Sequence, residues 1–222
     1  MRRPAAWVRA WLPQACLPSA EMMKEYLVKK VSGVPDWETV PVMAVDEVMW
    51  MPDHGISMTA RIAYDETAIY VCQRAVEENI RAELTDLLAH VCEDSCMEFF
   101  LSPCPEDGRY LNFEVNPNGC LHLGFGHGRH DSMRLLPKKA EERFQIAASR
   151  TQDGWELTYR IPLEFLRCFY PELTLQTGTV MTANCYKCGD CTVNPHFLAW
   201  NPPTSETPDF HRPQDFGKLI FA

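Results

Sequence analysis

The sequence predicts an all-β protein, an antiparallel β-sandwich of two sheets with one or two short helices. Residues 155–161 give the clearest sign, because large apolar side chains there alternate with Glu156, Thr158 and Arg160. Successive side chains of a strand point to opposite faces, so this pattern indicates a strand with one buried face. Several short strands separated by turns are typical of a sandwich, and we expect about nine to twelve of them from about residue 37 to the C-terminus.

The first part of the predicted domain contains a hairpin. Two β-rich runs, 57–64 and 68–76, are separated by three polar residues, which is the pattern of two strands joined by a turn. Residues 24–56 hold several prolines and are expected to be irregular. Trp37 and Trp50 are expected to pack on a sheet edge.

Two segments are predicted to be helical. In residues 77–91, apolar side chains recur at helical spacing, which predicts a short helix or helical loop. Residues 163–169 suit a helical turn, because Pro162 ends the preceding strand and Pro171 closes the segment.

Residues 110–116 predict a strand with two distinct faces. Leu111, Phe113 and Val115 point one way, toward the core, while the opposite face is polar and aromatic. The NPNG turn that follows suits a tight hairpin. Further strands are predicted at 120–125, 144–149, 179–186 and 216–221, with a polar connection at 126–142.

Composition limits the classes of protein. The chain of 222 residues is 46% hydrophobic and 23% charged, which indicates a folded protein with one full core. We expect residues 24–222 to form the single domain and residues 1–23 to be a poorly ordered or misassigned start. The net charge of -9 argues against nucleic acid as a partner, and no apolar run is long enough to span a membrane.

The location in the cell rests on the first residues and on the cysteines. Arg9 and Pro13 interrupt what would be the apolar region of a signal peptide, so we expect a cytoplasmic protein, with secretion as the alternative. The ten cysteines are expected to be reduced thiols, since a chain of this length does not need disulfides for stability.

Polar side chains with strand spacing form a first candidate site. If their strands are neighbours, they would present a row of carboxylates and amides that suits the hydroxyls of a sugar. The alternative is the solvated face of a half-exposed sheet. The residues are Glu98, Asn112, Glu114, Asn116, His122 and Asn184.

A second candidate site is the C-terminal stretch 184–222, in which aromatic rings and polar side chains crowd together. Tyr110 from the earlier strand, with Trp200 and Phe210, could stack on a sugar ring. Lys187, His211 and Arg212 could bind its hydroxyl groups. A proline-rich connection whose rings cap the core is the alternative.

The sequence offers two alternatives to sugar binding. Cys185, Cys188, Cys191 and His196 have a C-x2-C-x2-C-x4-H spacing that could hold zinc or an iron–sulfur cluster, although a turn after a strand explains the same residues. Paired carboxylates such as Glu98 and Glu114 could act as acid and nucleophile of a glycoside hydrolase. Neither a nucleophile elbow nor an HExxH pair is present in the sequence.

Several runs resemble the carbohydrate-binding family nine-like domains of the DOMON-like β-sandwich superfamily. They are DSCMEFFLSP (94–103), RYLNFEVNPNG (109–119), CYKCGD, PHFLAW and PDFHRPQDFG, and the likeness extends from about residue 37 to the C-terminus. The resemblance implies a non-catalytic module that binds an oligosaccharide or polysaccharide and serves its utilisation.

The resemblance also bears on the site. In the related sugar-binding modules two tryptophans clamp the terminal sugars. Phe210 falls where the second belongs, the first falls near Cys92, and a sugar-contacting arginine is replaced by Glu114. The ligand-binding set that we predict is Glu98, Tyr110, Asn112, Glu114, Asn116, Lys187, Trp200, Phe210, His211 and Arg212.

Two bound groups are implied by relatives. The related modules hold structural calcium, for which Asp94, Asp107 and Asp131 are possible ligands in this chain. The same superfamily resembles haem-binding cytochrome-type domains, in which a Met and a His ligate iron. Haem binding is therefore the alternative function, and the ten Met and seven His do not single out a pair.

Overall fold

The computed structural model describes residues 23–222, and the prediction for residues 1–22 lies outside this part of the chain. The described residues form fourteen strands and two short α-helices. The strands are β1 (Glu25–Lys30), β2 (Met43–Val45), β3 (Glu47–Val48), β4 (Ser57–Tyr64), β5 (Ala68–Val76), β6 (Cys96–Ser102), β7 (Tyr110–Val115), β8 (Leu121–Gly128), β9 (Asp131–Arg134), β10 (Ala147–Arg150), β11 (Gly154–Pro162), β12 (Val180–Cys188), β13 (Phe197–Ala199) and β14 (Gly217–Phe221). The helices are α1 (Ala140–Phe144) and α2 (Leu163–Leu166).

The strands form one curled mixed sheet. Its order is β10-β11-β5-β4-β1-β14-β12-β6-β7-β8-β9, with β2 paired to β4, and β13 paired to β12 and β3. The prediction of a mostly β fold with short helices is confirmed. The expected purely antiparallel pairing is wrong for β1, which runs parallel to β14 through Glu25–Val28 and parallel to β4 through Lys29 and Lys30.

This exception has a local cause. Strand β1 lies in the segment that was expected to be irregular, and only Tyr26 and Val28 of its six residues are buried. Its charged neighbours conceal the strand pattern in the sequence. Strand β1 lies between β14 and β4 in the strand order and is parallel to both.

The alternating segments form strands as expected. The hairpin of β4 and β5 has the predicted bounds, and β11 covers the run with the clearest alternation. Strand β9 lies inside the connection predicted at 126–142, and β13 was not predicted. Helix α1 ends at Phe144, where a strand was expected to begin.

The helix predicted at 77–91 is wrong. Only Val91–Glu93 forms a 3-10 turn, and the leucines that suggested an apolar face, Leu87 and Leu88, are more than 60% exposed. The backbone N–H groups of Glu83 and Leu84 donate to the buried carboxylate of Asp94. Side chains that take backbone donors in this way compete with helix formation.

The curled sheet has two apolar clusters. The larger contains Leu111, Phe113 and Val115, the face of β7 that was predicted to be core. The smaller contains Phe100, Tyr110, Tyr186, Phe210 and Phe216. Every residue of β6 and β7 is therefore buried, because the C-terminal segment covers the polar face of these strands.

Candidate functional site

The predicted row of polar side chains lies on one face of four adjacent strands. Strand pairing places Tyr186 of β12 opposite Glu98 of β6, Glu98 opposite Glu114 of β7, and Glu114 opposite His122 of β8. Directly opposite side chains of an antiparallel pair lie about 4.5–5.5 Å apart at Cβ. The strand register therefore brings together groups that are distant in the sequence.

Part of this face is the floor of a cleft of about 160 Å³. Its other walls come from the segment after β3, the turn after β8, the turn after β12 and the C-terminal segment. The residues that line it are Trp50, Cys92, Glu98, Glu114, Arg129, Cys188, Asp190, Phe197, Pro208, Asp209, Phe210 and His211.

Three rings form one side of the cleft, and we call Trp50, Phe197 and Phe210 the aromatic wall. The Phe210 ring lies 5.2 Å from that of Trp50 and 6.0 Å from that of Phe197, between ring centroids. Its other neighbour is Tyr186, stacked at 4.0 Å with an interplanar angle of 11°. The Tyr186 hydroxyl also donates to the Phe210 carbonyl oxygen at 3.1 Å, so the ring is held firmly.

Two buried carboxyl groups, Glu98 and Glu114, form the floor, and we call them the acid pair. Burial raises the pKa of Glu98 well above its usual value, and the neighbouring Glu114 adds to this effect. Burial also raises the pKa of Glu114 to about 7, while a hydrogen bond from Asn112 opposes the rise. The Cys188 thiol donates to Glu98 Oε1 at 2.9 Å and Asn112 Nδ2 donates to Glu114 Oε1 at 2.7 Å.

The rim of the cleft carries fixed polar groups. Arg129 Nε donates to Asp209 Oδ1 at 3.1 Å, so this guanidinium is already paired. Burial and the charge of Arg129 lower the pKa of His211 to about 4. The neutral His211 ring bonds the Tyr110 hydroxyl at Nδ1 over 2.7 Å, which fixes its orientation.

Several residues of the predicted ligand-binding set therefore meet here. Glu98, Glu114, Phe210 and His211 line the cleft. Asn112 and Tyr110 lie behind them and hold Glu114 and His211 in place. Gly124, opposite Asn112 on β8, leaves room for that amide, since a Cβ there would overlap it.

The structure places two other predicted residues within the protein, away from the cleft. Lys187 is fully buried on the opposite face of β12, where its Nζ lies 3.1 Å from Glu77 Oε2 and 2.8 Å from His196 Nε2. Trp200 belongs to the larger apolar cluster. Gly217 lies so close that a Cβ there would come within 2.6 Å of the Trp200 ring.

Asn116 and Arg212 also have other partners. Asn116 donates to the Leu84 carbonyl oxygen and to Asp94, both at 2.9 Å, and so fixes the segment before β6. Arg212 Nε donates to Asp215 Oδ2 at 2.7 Å. These contacts stabilise loops around the cleft, and neither Asn116 nor Arg212 lines it.

Trp50 and Arg129 are among the lining residues that the predicted ligand-binding set does not contain. Trp50 was expected on a sheet edge, yet it lies in the aromatic wall with a positive φ of 53° and its Nε1 donates to the Ser205 carbonyl oxygen. Arg129 follows a glycine-rich strand and gave no signal. Both sit in turns, whose positions relative to the sheet do not follow from strand periodicity.

The cysteine and histidine motif does not converge. Cys185 lies in the larger apolar cluster, Cys191 is exposed, and His196 uses both ring nitrogens. Burial, helped by the charge of Lys187, lowers the pKa of His196 to about 4, and its Nδ1 bonds the Asn194 carbonyl oxygen at 2.7 Å. Only Cys188 of the four faces the cleft.

The three aspartates considered for calcium are engaged separately. Asp94 is fully buried and accepts from Glu83, Leu84 and Asn116. Asp107 pairs with Arg109, and Asp131 bonds His127. These residues do not fit a shared calcium ion, and calcium stays a prediction that a melting curve with and without chelator tests.

The chain matches a known protein family over most of its length. The sequence profile of carbohydrate-binding family 9 matches residues 30–221. No functionally curated protein matches the chain. Within residues 23–222, none of the helices has the length and apolar character needed to cross a membrane.

Solved structures share the fold over most of the chain. A protein of Bacteroides uniformis ATCC 8492, described as a candidate carbohydrate-binding protein, is 30% identical, with a TM-score of 0.76, and covers 90% of this chain and 100% of its own. A family 9 module from Caldicellulosiruptor kristjanssonii was solved with glucose and with cellotriose. Both complexes are 15% identical with TM-scores of 0.64; the alignments cover 90% and 89% of this chain and 96% and 93% of theirs. This chain belongs to carbohydrate-binding family 9.

Proposed function

We propose that the cleft binds a short glycan, or the end of a glycan chain, without catalysing a reaction on it. The observation that carries this proposal is the aromatic wall beside the acid pair in one cleft. Aromatic rings offer flat apolar area to the C–H face of a sugar, while carboxyl and amide groups bond its hydroxyls. The glucose and cellotriose complexes of the Caldicellulosiruptor module support the same class of ligand.

The size of the cleft points to a terminal sugar unit. Its volume of about 160 Å³ is well below the roughly 300–1,000 Å³ of pockets that enclose drug-sized ligands. One sugar unit would contact the aromatic wall and the acid pair, and further units would extend toward the solvent.

We also infer that the curled sheet folds over into a two-layer sandwich. Strand β1 would join the two layers, and β6–β8 would form the floor of the cleft.

The cleft offers no unpaired lysine or arginine to an acidic sugar among its described lining residues. Glu98, Glu114, Asp190 and Asp209 line it, and Arg129, the only lysine or arginine among the described lining residues, is paired with Asp209. A uronic acid would bring a further carboxylate to this site without a free cation to receive it.

A glycan screen tests this selection. Neutral oligosaccharides are expected to bind, and matched oligosaccharides that end in a uronic acid are expected to bind at least about tenfold more weakly, a difference of about 1.4 kcal/mol. Isothermal calorimetry with the glycans that bind, on the wild type and on Glu114→Gln, measures how much the Glu114 carboxyl group contributes to affinity. Binding of the acidic series alone, or no glycan binding at all, would contradict the proposal.

Neither alternative function fits the site as well. A retaining glycosidase keeps one carboxyl group ionised as its nucleophile, whereas the hydrogen-bond donors on the acid pair are neutral, the Cys188 thiol on Glu98 and the Asn112 amide on Glu114. Haem of this type is held by a Met and a His that face one cavity, whereas the described residues that line the cleft include His211 and no Met. Nine cysteines of the described part are free thiols, which supports a reducing compartment such as the cytoplasm.

A further inference from the structure

The floor of the cleft contains a second chemical group beside the acid pair. Cys96 and Glu98 lie two residues apart on β6, so their side chains point to the same face. Cys188 of β12 lies directly opposite Cys96 in the strand register. Among residues 23–222, these three form the one group of metal-ligating side chains whose ligand atoms all lie within 4.8 Å of one another.

We propose that Cys96, Glu98 and Cys188 form a zinc site with its fourth coordination position open to the cleft. We call these three residues the thiol–carboxylate cluster. The site is separate from the C-x2-C-x2-C-x4-H motif, with which it shares only Cys188. It does not depend on glycan binding.

The distances suit a small tetrahedral ion. Zinc bonds sulfur at about 2.3 Å and carboxylate oxygen at about 2.0–2.2 Å, so tetrahedral ligand atoms lie roughly 3.3–3.8 Å apart. Ligand atoms that already lie within 4.8 Å of one another would need to approach by about 1 Å to reach these separations. The hydrogen-bonded pairing of β6 with β12 holds the three Cα positions. Only the side chains would therefore move.

The identity of the ligands selects the metal. Thiolates favour zinc and other soft or borderline ions, whereas calcium and magnesium prefer oxygen ligands only. Three protein ligands with an open position are typical of zinc sites that take water or a small ligand as the fourth. Cys188 and Glu98 line the cleft, so the open position would face the space proposed for the sugar.

No unpaired lysine or arginine among the lining residues stands against a metal ion at this cluster. Glu114 and Asp190 line the same space, and Arg129 is paired with Asp209. The buried Lys187 points to the opposite face of β12 and binds Glu77. The three ligands make few competing contacts. The Cys188 thiol donates to Glu98 itself and makes a long contact of 3.9 Å to the Cys92 carbonyl oxygen. The Cys96 thiol makes one long contact of 3.9 Å to the Met97 carbonyl oxygen.

Metal titration of the reduced, chelator-treated full chain tests the site. Zinc is expected to bind one equivalent and to raise the melting temperature, and Co²⁺ as a spectroscopic probe is expected to give thiolate-to-cobalt absorption bands. Cys96→Ala and Cys188→Ala should each lower zinc affinity by more than about 100-fold. Cys185→Ala is the matched control, because Cys185 is buried on the same strand but belongs to the larger apolar cluster, and it should leave zinc affinity unchanged.

Three results of the metal titration would overturn the proposal. They are the absence of zinc binding, Co²⁺ binding without thiolate bands, and binding that survives Cys188→Ala. A Cys96–Cys188 disulfide, mapped by mass spectrometry in protein purified without reductant, would also overturn it. Glu98→Gln, which keeps the volume and both thiols, supplies a variant that folds if a cysteine variant does not, and it should weaken zinc binding. Glycan calorimetry on the metal-free protein separates a failure of this site from a failure of the carbohydrate proposal.

Discussion

Replacing Lys187 with methionine is expected to lower the free energy of unfolding by about 3–5 kcal/mol, because it leaves a buried carboxylate without its cation. The side chains of Lys187 and Glu77 are 0% and 1% exposed, and their charged atoms are 3.1 Å apart. Glu77 also accepts from the Ser95 hydroxyl at 2.6 Å and from Trp155 Nε1 at 3.2 Å. Methionine preserves most of the side-chain volume, so the loss of stability measures the effect of removing the positive charge. Urea unfolding monitored by circular dichroism gives the value.

A double-mutant cycle isolates the pair. Glu77→Gln alone should also destabilise the protein, and the combination of Lys187→Met with Glu77→Gln should cost less than the sum of the single changes. The exposed pair of Lys218 and Glu25, 3.1 Å apart, is the matched control, and Lys218→Met should change stability by about 0–1 kcal/mol. Equal losses for Lys187→Met and Lys218→Met would contradict this account of the buried network.

Replacing Phe210 with leucine is expected to weaken glycan binding by about 1–3 kcal/mol, by analogy with the stacking of nucleic-acid bases on aromatic rings. This corresponds to a loss of about 5-fold to 150-fold in affinity. Leucine keeps an apolar side chain of similar size, so the fold should be retained, while the flat face of the ring is lost from the aromatic wall. Calorimetry with the best neutral glycan from the screen measures the change.

Trp200→Phe is the control for that experiment. Trp200 was also predicted to stack on sugar, but it lies in the larger apolar cluster and does not line the cleft. The change is expected to lower the melting temperature and to leave the affinity of the folded protein within about twofold. A Trp200 variant that loses as much affinity as the Phe210 variant would show that the sugar lies elsewhere.

The sequence predicts strands well where apolar and polar side chains alternate regularly between the two faces. Alternation identified β4, β5, β7 and β11, because each has a regular apolar face. It failed for β1, whose residues include only two buried side chains, and for the short strand β13. The helix predicted at 77–91 failed because the periodicity of its leucines carries no information about the Asp94 carboxylate that binds the backbone there.

The residues of the site also fall into two groups, those that strand periodicity predicts and those that it does not. Glu98 and Glu114 were predictable, since residues at matching positions of neighbouring strands share a face. Lys187 could also have been placed correctly, because it shares strand parity with Cys185 and therefore points to the core. Its partner Glu77 is far away in the chain, and a buried lysine looks improbable until that partner is known. Trp50 and Arg129 come from turns, whose position depends on the completed fold.

The structure of the complex with a bound neutral glycan tests the central claim most directly. The account predicts that a terminal sugar ring lies against the aromatic wall of Trp50, Phe197 and Phe210, with its hydroxyls bonded to Glu98 or Glu114. A crystal soaked or grown with the best ligand from the screen shows this position. A sugar bound on another face of the sheet, with the cleft between the wall and the acid pair left free of ligand, would contradict the claim.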